Sequence, residues 1–152
     1  MITEVKIGIA SDHAGFYLKQ EIAGHLKNKG YQVVDFGCYG ADSVDYPDYA
    51  HPLAHAIEHG ECSLGVAICA TGNGINMTVN KYAGIRSAIC WSEEITRLAR
   101  AHNDANICSL PARFIQKEEA IRYVDLFLST PFDGGRHTCR IEKIPRMDGE
   151  KT

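Results

Sequence analysis

Short apolar runs alternate with helical patterns along the whole chain, and this alternation is the strongest constraint on its fold. The five runs lie at 6–10, 31–37, 63–69, 85–90 and 105–110. Their continuous apolar character is typical of strands that are buried on both faces. Strands that alternate with helices predict a parallel sheet with right-handed crossovers. We therefore expect an α/β fold, a Rossmann-like three-layer α/β/α sandwich with a five-stranded parallel sheet.

The segments between these runs carry helical patterns. They cover 16–30, 47–60, 74–82, 92–103 and 116–128, and a final helix or arm starts near residue 134. Gly30 is a typical residue to end the first helix. The second predicted helix, 47–60, contains Pro52, which a helix tolerates only near its start. Ser92, followed by acidic residues, is the predicted N-cap of the fourth helix.

Length and charge narrow the possible classes of protein. With 152 residues and no repeat or linker, the chain is expected to form one domain over 1–152, and its tail 145–152 is expected to fray. A net charge of -3 excludes a general attraction to nucleic acid or anionic membranes. No apolar run approaches the ~20 residues that cross a bilayer, and the N-terminus lacks the pattern of a signal peptide.

The six cysteines favour a protein with free thiols. None belongs to a C-x-x-C pair, so a zinc ribbon and a thioredoxin motif are excluded. Cys90 and Cys108 fall within strand-like runs, where a thiol acts as a small apolar side chain. Without an export signal, we expect a reduced, cytoplasmic protein rather than a disulfide scaffold.

Ligands of such sheets bind beyond the carboxyl ends of the strands. The candidates at this edge are Asp12 and His13 after the first strand, Tyr46 in the loop after the second, Cys69, Thr71, Gly72, Asn73 and Gly74 after the third, and Arg113 after the fifth. His102 and Asn103 precede the fifth strand. They are therefore expected at the opposite edge of the sheet.

The turn after the third strand, "CATGNG", is the most suggestive of these features. Gly72 and Gly74 allow backbone N–H groups to approach a ligand, and the following helix adds a partly positive N-terminus. Such a setting favours the thiolate, which is the reactive form of cysteine. The alternative for Cys69 is a buried thiol in a tight β-α turn. For Asp12, the alternative is a cap on the first helix.

Two further groups of candidate residues, one around His102 and one around Arg136, each allow a functional and a structural interpretation. His102 is either a proton shuttle or part of a polar turn that includes Asn103. Arg136 and Arg140 are four residues apart and share one helix face. With His137 beside them, they form either an anion clamp or a solvated basic face.

Three histidines form a stripe on the second helix. His51, His55 and His59 follow one another at intervals of four residues, and two such side chains could ligate a metal. The stripe has no evident acidic or cysteine partner. We therefore expect a solvated face, and no metal site.

Together, six motifs resemble the type B ribose-5-phosphate isomerases, whose relatives include bacterial galactose-6-phosphate isomerase subunits. The motifs are "SDHAG--LK", "DYPDYA", "ICATGNGI", "NKYAGIR", "HNDAN" and "GGRH--R". Each is weak alone, but their order and spacing are specific. The resemblance runs from about Lys6 to Ile144, which is nearly the whole chain.

This resemblance implies an aldose-ketose isomerase that interconverts ribose 5-phosphate and ribulose 5-phosphate through an enediolate. It assigns Cys69 as the general base, the backbone from Ala70 to Gly74 with Thr71 as the oxyanion-binding group, and His102 as the ring-opening acid with Asn103 nearby. It assigns Asp12, His13 and Tyr46 to substrate contacts, and Arg113, Arg136 and Arg140 to the phosphate. Such chemistry needs a base, an acid and preorganised donors, and it requires no metal or other cofactor.

The resemblance also implies an assembly. The family forms homodimers or homotetramers with a shared active site, in which His102 reaches the Cys69 of another chain. This sharing would explain why His102 lies at the wrong edge of its own sheet. The C-terminal helix or arm, about 134–152, is then expected to pack on the partner chain, and no nucleic acid or membrane partner is implied.

Three positions bear on how closely the chain follows the family pattern. Ala70 and Pro111 stand where the family usually has glycine, which affects the room around the oxyanion and the direction of Arg113. One branch of the family uses a glutamate in place of the cysteine base. The corresponding position here is Ile75, so Cys69 is the candidate base.

Alternative functions differ in substrate or in class. An isomerase of a six-carbon sugar phosphate, allose 6-phosphate or galactose 6-phosphate, would use the same residues, because such substrates are distinguished by the shape of the pocket. A flavodoxin-like carrier would place its phosphate loop after the first strand, where "SDHAG" does not fit. A receiver domain would end its third strand in an aspartate, where this chain has Cys69.

Overall fold

The computed structural model describes residues 5–145 and contains a five-stranded sheet. The strands are β1 (Lys6–Ser11), β2 (Gln32–Asp35), β3 (Leu64–Cys69), β4 (Ser87–Ile89) and β5 (Ile107–Pro111). Their order across the sheet is β2-β1-β3-β5-β4, and every neighbouring pair is parallel. The α/β fold that the alternating patterns predict is confirmed.

Helices cover both faces of this sheet. They are α1 (Phe16–Asn28), α2 (Tyr46–Glu58), α3 (Asn73–Val79), α4 (Glu93–Asn103), α5 (Lys117–Ser129) and α6 (Arg136–Glu142), and a short 3-10 turn (His13–Gly15) precedes α1. Buried residues of α1, α4 and α5 belong to one apolar cluster, and those of α2 and α3 belong to a second. The molecule is therefore the three-layer sandwich expected from the sequence.

The three central strands carry the core. Ile9 of β1 pairs in register with Val66 of β3, which in turn pairs with Cys108 of β5, and all three side chains are fully buried. Each buried apolar side chain of this size stabilises the fold by roughly 1.5–3 kcal/mol. The apolar runs thus fix the register, and the register brings the ends of β1, β3 and β5 to one edge.

The helix ends confirm one prediction and correct another. Ser92 caps α4, because its Oγ accepts a hydrogen bond from the backbone N–H of Ile95 at 3.1 Å. The expectation that Pro52 lies near the start of its helix is wrong, since α2 begins at Tyr46 and Pro52 lies inside it. A proline there removes one backbone hydrogen bond. Pro52 itself is exposed.

Several further expectations can be compared with residues 5–145. All six cysteines are free; Cys139 is exposed and the others are buried. Within the described residues, no helix is long and apolar enough to span a bilayer. The tail that was expected to fray lies outside the described range beyond Pro145.

Candidate active site

Cys69 ends β3 at the carboxyl edge of the sheet. Its side chain is 4% exposed, and its backbone pairs in register with Pro111 of β5. The chain after β5 continues this pairing, since the N–H groups of Ala112 and Arg113 donate to the carbonyls of Cys69 and Ala70 at 2.9 and 3.0 Å. The thiol is therefore buried, as expected if Cys69 only fills a tight β-α turn. It also lies at the start of the glycine turn.

The glycine turn is tightly packed against the adjacent strand. Gly72 has a φ of 77° and is the N-cap of α3. A Cβ atom there would come within 3.3 Å of Leu110 and Pro111 backbone atoms, so glycine serves both conformation and space. Thr71 and Asn73 are exposed, and the Thr71 hydroxyl accepts the N–H of Asn73 at 3.2 Å. The turn thus presents polar groups beside Cys69.

Tyr46 covers this turn from α2. A Cβ atom added to Gly74 would overlap with the aromatic ring of Tyr46, so the ring lies directly on the backbone of α3. Tyr46 as a whole remains 37% exposed. Tyr46 therefore forms one wall of the space above the turn.

Asp12 and His13 follow β1 at the same edge. Asp12 is 6% exposed, and its Oδ1 accepts the N–H groups of Ala14 and Gly15 at 3.0 and 3.2 Å. It therefore caps the short helical turn that leads into α1, as its alternative interpretation predicts. His13 is half-buried, and its Nδ1 accepts the N–H of Val44 at 3.1 Å. This contact holds the loop before α2 against the site.

A partly buried ion pair between α1 and the end of β2 was missed by the sequence reasoning. Lys19 is fully buried, and its Nζ donates to both carboxylate oxygens of Asp35 at 2.7 and 2.6 Å. Asp35 also accepts the N–H of Gly37 at 2.8 Å, and the Gly37 carbonyl accepts the N–H of Ser11 at 2.7 Å. Two features of the sequence could have indicated this pair: Asp35 at the end of β2, and the lysine in "SDHAG--LK", which is Lys19.

A second group of candidate residues lies where α4 meets α6. The rings of His102 and His137 stack with centroids 4.2 Å apart and planes 14° from parallel. Arg136 and Arg140 lie on the same short helix as His137 and are exposed. Partial loss of water around the His137 ring, together with His102 and the two arginines, lowers the pKa of His137. The neutral ring is therefore favoured near pH 7.

The two groups stand at opposite edges of the sheet within one chain. Strand β5 begins at Ile107, which pairs with Gly65, and ends at Pro111, which pairs with Cys69. Four strand steps separate these levels by about 13 Å. His102 lies at the end of α4, just before β5, and is thus on the amino side.

Asn103 lies on the amino side with His102. It borders a cleft that is also lined by Asn80, Arg86 and Ile144. The Arg86 Nε donates to the Asn103 carbonyl at 2.9 Å, which fixes the end of α4 on the loop before β4. The separation inferred from the sequence is therefore observed, and Arg113 remains with the Cys69 group.

Known proteins are similar to this chain in sequence. The family model described as Ribose/Galactose Isomerase matches residues 7–144. Ribose-5-phosphate isomerase B of Escherichia coli is 41% identical over 143 residues, which cover 94% of this chain and 96% of the relative. The resemblance stated from the motifs is thus confirmed over nearly the whole length.

Solved structures of such isomerases have the same fold as this chain. A ribose 5-phosphate isomerase from Thermotoga maritima is 51% identical, with a TM-score of 0.92 and coverage of 94% of this chain and 99% of that one. Ribose-5-phosphate isomerase B from Mycoplasma genitalium, solved with bound ribulose-5-phosphate, is 43% identical, with a TM-score of 0.92 and coverage of 98% and 99%. With its sheet, its cysteine turn and these matches, the chain belongs to the ribose/galactose isomerase family.

Proposed function

We propose that this protein interconverts ribose 5-phosphate and ribulose 5-phosphate. The observation that carries the proposal is the position of Cys69, which ends the central strand beside the glycine turn. The structurally similar protein solved with bound ribulose-5-phosphate supports the substrate class. The proposed reaction moves one proton from C2 to C1 and a second proton from the C2 hydroxyl to the C1 oxygen, and it needs no redox partner.

Cys69 is the proposed general base. Its thiolate removes the proton from C2 of the open-chain aldose, and the thiol returns that proton to C1 of the enediolate. In the intermediate, negative charge develops on the substrate oxygens. The N–H groups from Ala70 to Gly74 and the Thr71 hydroxyl are the proposed donors to this charge, and such preorganised donors supply a large part of the rate in many enzymes.

His102 is the proposed ring-opening acid, and a second copy of the chain supplies it. It donates a proton to the ring oxygen while the hydroxyl proton at C1 is lost, and Asn103 helps to place it. The supporting observation is the separation of His102 from Cys69 across the sheet. On this proposal the active form is a homodimer or a larger assembly, and α6 packs on the partner, while the arm beyond Pro145 lies outside the described residues.

The remaining candidates are proposed to hold the substrate. Asp12, His13 and Tyr46 surround the sugar, with Gly72 and Asn73 in the adjacent turn. Arg113, Arg136 and Arg140 bind the phosphate, since guanidinium groups grip phosphate oxygens with paired hydrogen bonds. A site shared between chains would bring these arginines together, because Arg113 lies next to the turn, and Arg136 and Arg140 lie on the helix of His137, which stacks on His102.

A six-carbon sugar phosphate is the second candidate substrate. The matching family model is described as Ribose/Galactose Isomerase, which supports a galactose phosphate as the alternative. Allose 6-phosphate and galactose 6-phosphate differ from ribose 5-phosphate by features worth roughly 1–3 kcal/mol in a pocket. An isomerase assay over these three substrates decides between them by their kcat/KM values.

The central test replaces the proposed base. Cys69→Ala is expected to reduce kcat by about 10²–10⁴-fold, the usual contribution of a general base, because no proton acceptor remains. Its fold should persist, and ribose 5-phosphate should protect wild-type Cys69 from iodoacetamide. Cys62→Ala is the matched control, since Cys62 is also buried but precedes β3 at the other edge. Activity of Cys69→Ala within a few-fold of the control contradicts the proposal.

A further inference from the structure

Three potential metal ligands meet between α4 and α6. One nitrogen each of His102 and His137 and a carboxylate oxygen of Asp133 all lie within 4.8 Å of one another. We propose that these three side chains form a binding site for zinc or a similar transition-metal ion. The binding itself is independent of the isomerase chemistry.

The donor set selects the class of ion. Zinc binds imidazole nitrogen and carboxylate oxygen at about 2.0–2.2 Å, and open zinc sites combine three protein ligands with water. Magnesium and calcium prefer oxygen ligands, so two imidazoles disfavour them. Ligand atoms around a tetrahedral ion are separated by roughly 3.3 Å. The ligand atoms, which lie within 4.8 Å of one another, must therefore move closer together, by up to about 1.5 Å, when the ion binds.

The required movement falls on α6, which is not buried within its own chain. In parallel, stacked rings the nitrogens point side by side, so one ring must turn before both can face one ion. No residue of α6 is buried, and the terminal torsion of histidine is broad, so His137 can turn at low cost. Asp133 is already anchored beside His102, because its N–H donates to the Ala101 carbonyl at 2.9 Å.

The neighbouring arginines limit the affinity. Arg136 and Arg140 repel a cation, so binding should be weaker than at a structural zinc site and should strengthen when either arginine is removed. A bound ion would occupy a nitrogen of His102. Inhibition by zinc is therefore expected as well, and this consequence rests on the proposed role of His102 in isomerisation.

Calorimetry with zinc chloride tests the site directly. The measurements use metal-free protein with Cys139→Ser, because the exposed thiol of Cys139 could bind zinc itself. We expect one zinc ion per chain, and a weakening of roughly tenfold or more in both Asp133→Asn and His137→Ala. Cobalt should give the intense visible absorption of a tetrahedral site. His55→Ala/His59→Ala is the control, since it removes a second stacked pair, with centroids 4.0 Å apart, on α2.

The outcomes separate the metal site from the proposed function. Zinc binding that is absent, unchanged in both Asp133→Asn and His137→Ala, or lost in the α2 control overturns the site. Circular dichroism establishes that each variant is folded, and the two variants are independent of each other. Asp133→Asn should keep its turnover of ribose 5-phosphate and lose inhibition by zinc. If wild type shows no turnover, the proposed function fails while calorimetry still decides on the metal.

Discussion

At the scale of single residues, the lack of a side chain at Gly74 leaves the space that the Tyr46 ring occupies. The aromatic ring rests where a side chain would project, so turn and ring are fitted to each other. Gly24 of α1 is different, because a Cβ atom there meets nothing within 4 Å. Replacement by alanine should therefore change the activity at Gly74 and the stability at Gly24.

Gly74→Ala is expected to lower kcat/KM by up to roughly 100-fold, because displacing Tyr46 shifts a wall of the site by about 1 Å. Gly24→Ala should instead stabilise the protein by roughly 0.5–1 kcal/mol, as alanine does inside a helix. Steady-state kinetics and urea unfolding measure the two effects. Equal kinetics in both variants would show that Tyr46 does not shape the substrate site.

At the scale of elements, the Lys19–Asp35 pair ties α1 to the end of β2. It also holds Gly37, and through Gly37 the backbone of Ser11 next to Asp12. A fully buried ammonium is tolerated only when it is paired, so removal of either partner alone should be costly. The pair therefore links the stability of the fold to the position of the loop that reaches the site.

Lys19→Met should destabilise the fold by less than the roughly 3–5 kcal/mol of a fully buried pair, since the Asp35 side chain is 32% exposed. Adding Asp35→Asn should recover part of the loss, because no unpaired charge remains. Lys117→Met is the control; its side chain is 49% exposed and 3.9 Å from Glu21, and its effect should stay below about 1 kcal/mol. Additive losses in the double variant, measured by urea unfolding, would rule out the coupling.

The short helix α6 carries two of the three proposed phosphate ligands. Arg136→Ala or Arg140→Ala should raise KM for ribose 5-phosphate by roughly ten- to a hundred-fold, the equivalent of a lost charge-assisted contact of ~1.5–3 kcal/mol. The weak turnover of unphosphorylated ribose should hardly change. Arg97→Ala removes a comparable exposed arginine from α4 and should leave both values intact. Equal losses with both substrates would assign the α6 arginines to the fold or to the assembly.

At the scale of the whole molecule, the two groups of candidate residues become one site only between chains. Mixing Cys69→Ala with His102→Ala should therefore restore activity, because each mixed dimer contains one site with both residues. With random exchange in a symmetric dimer, the recovery approaches about a quarter of the wild-type value. Native mass spectrometry verifies the exchange. Mixed dimers that remain inactive would contradict the shared site.

Much of this organisation could be predicted from the sequence, for identifiable reasons. The apolar runs determine the sheet, and the chain order alone puts Cys69 and His102 at different edges. Contacts between distant segments could not be read in this way. Asp133 lies 31 residues beyond His102 along the chain, so local spacing gives no sign that their side chains meet.

The hydrogen bonds from Ala112 and Arg113 to the backbone carbonyls of Cys69 and Ala70 order the cysteine turn when the protein folds. They hold one side of the cysteine turn to the neighbouring strand before any substrate arrives. The cost of ordering the turn is therefore met once, during folding, rather than in every turnover. Amide hydrogen exchange at Ala112 and Arg113 should accordingly be slow in the free protein and change little when a sugar phosphate binds.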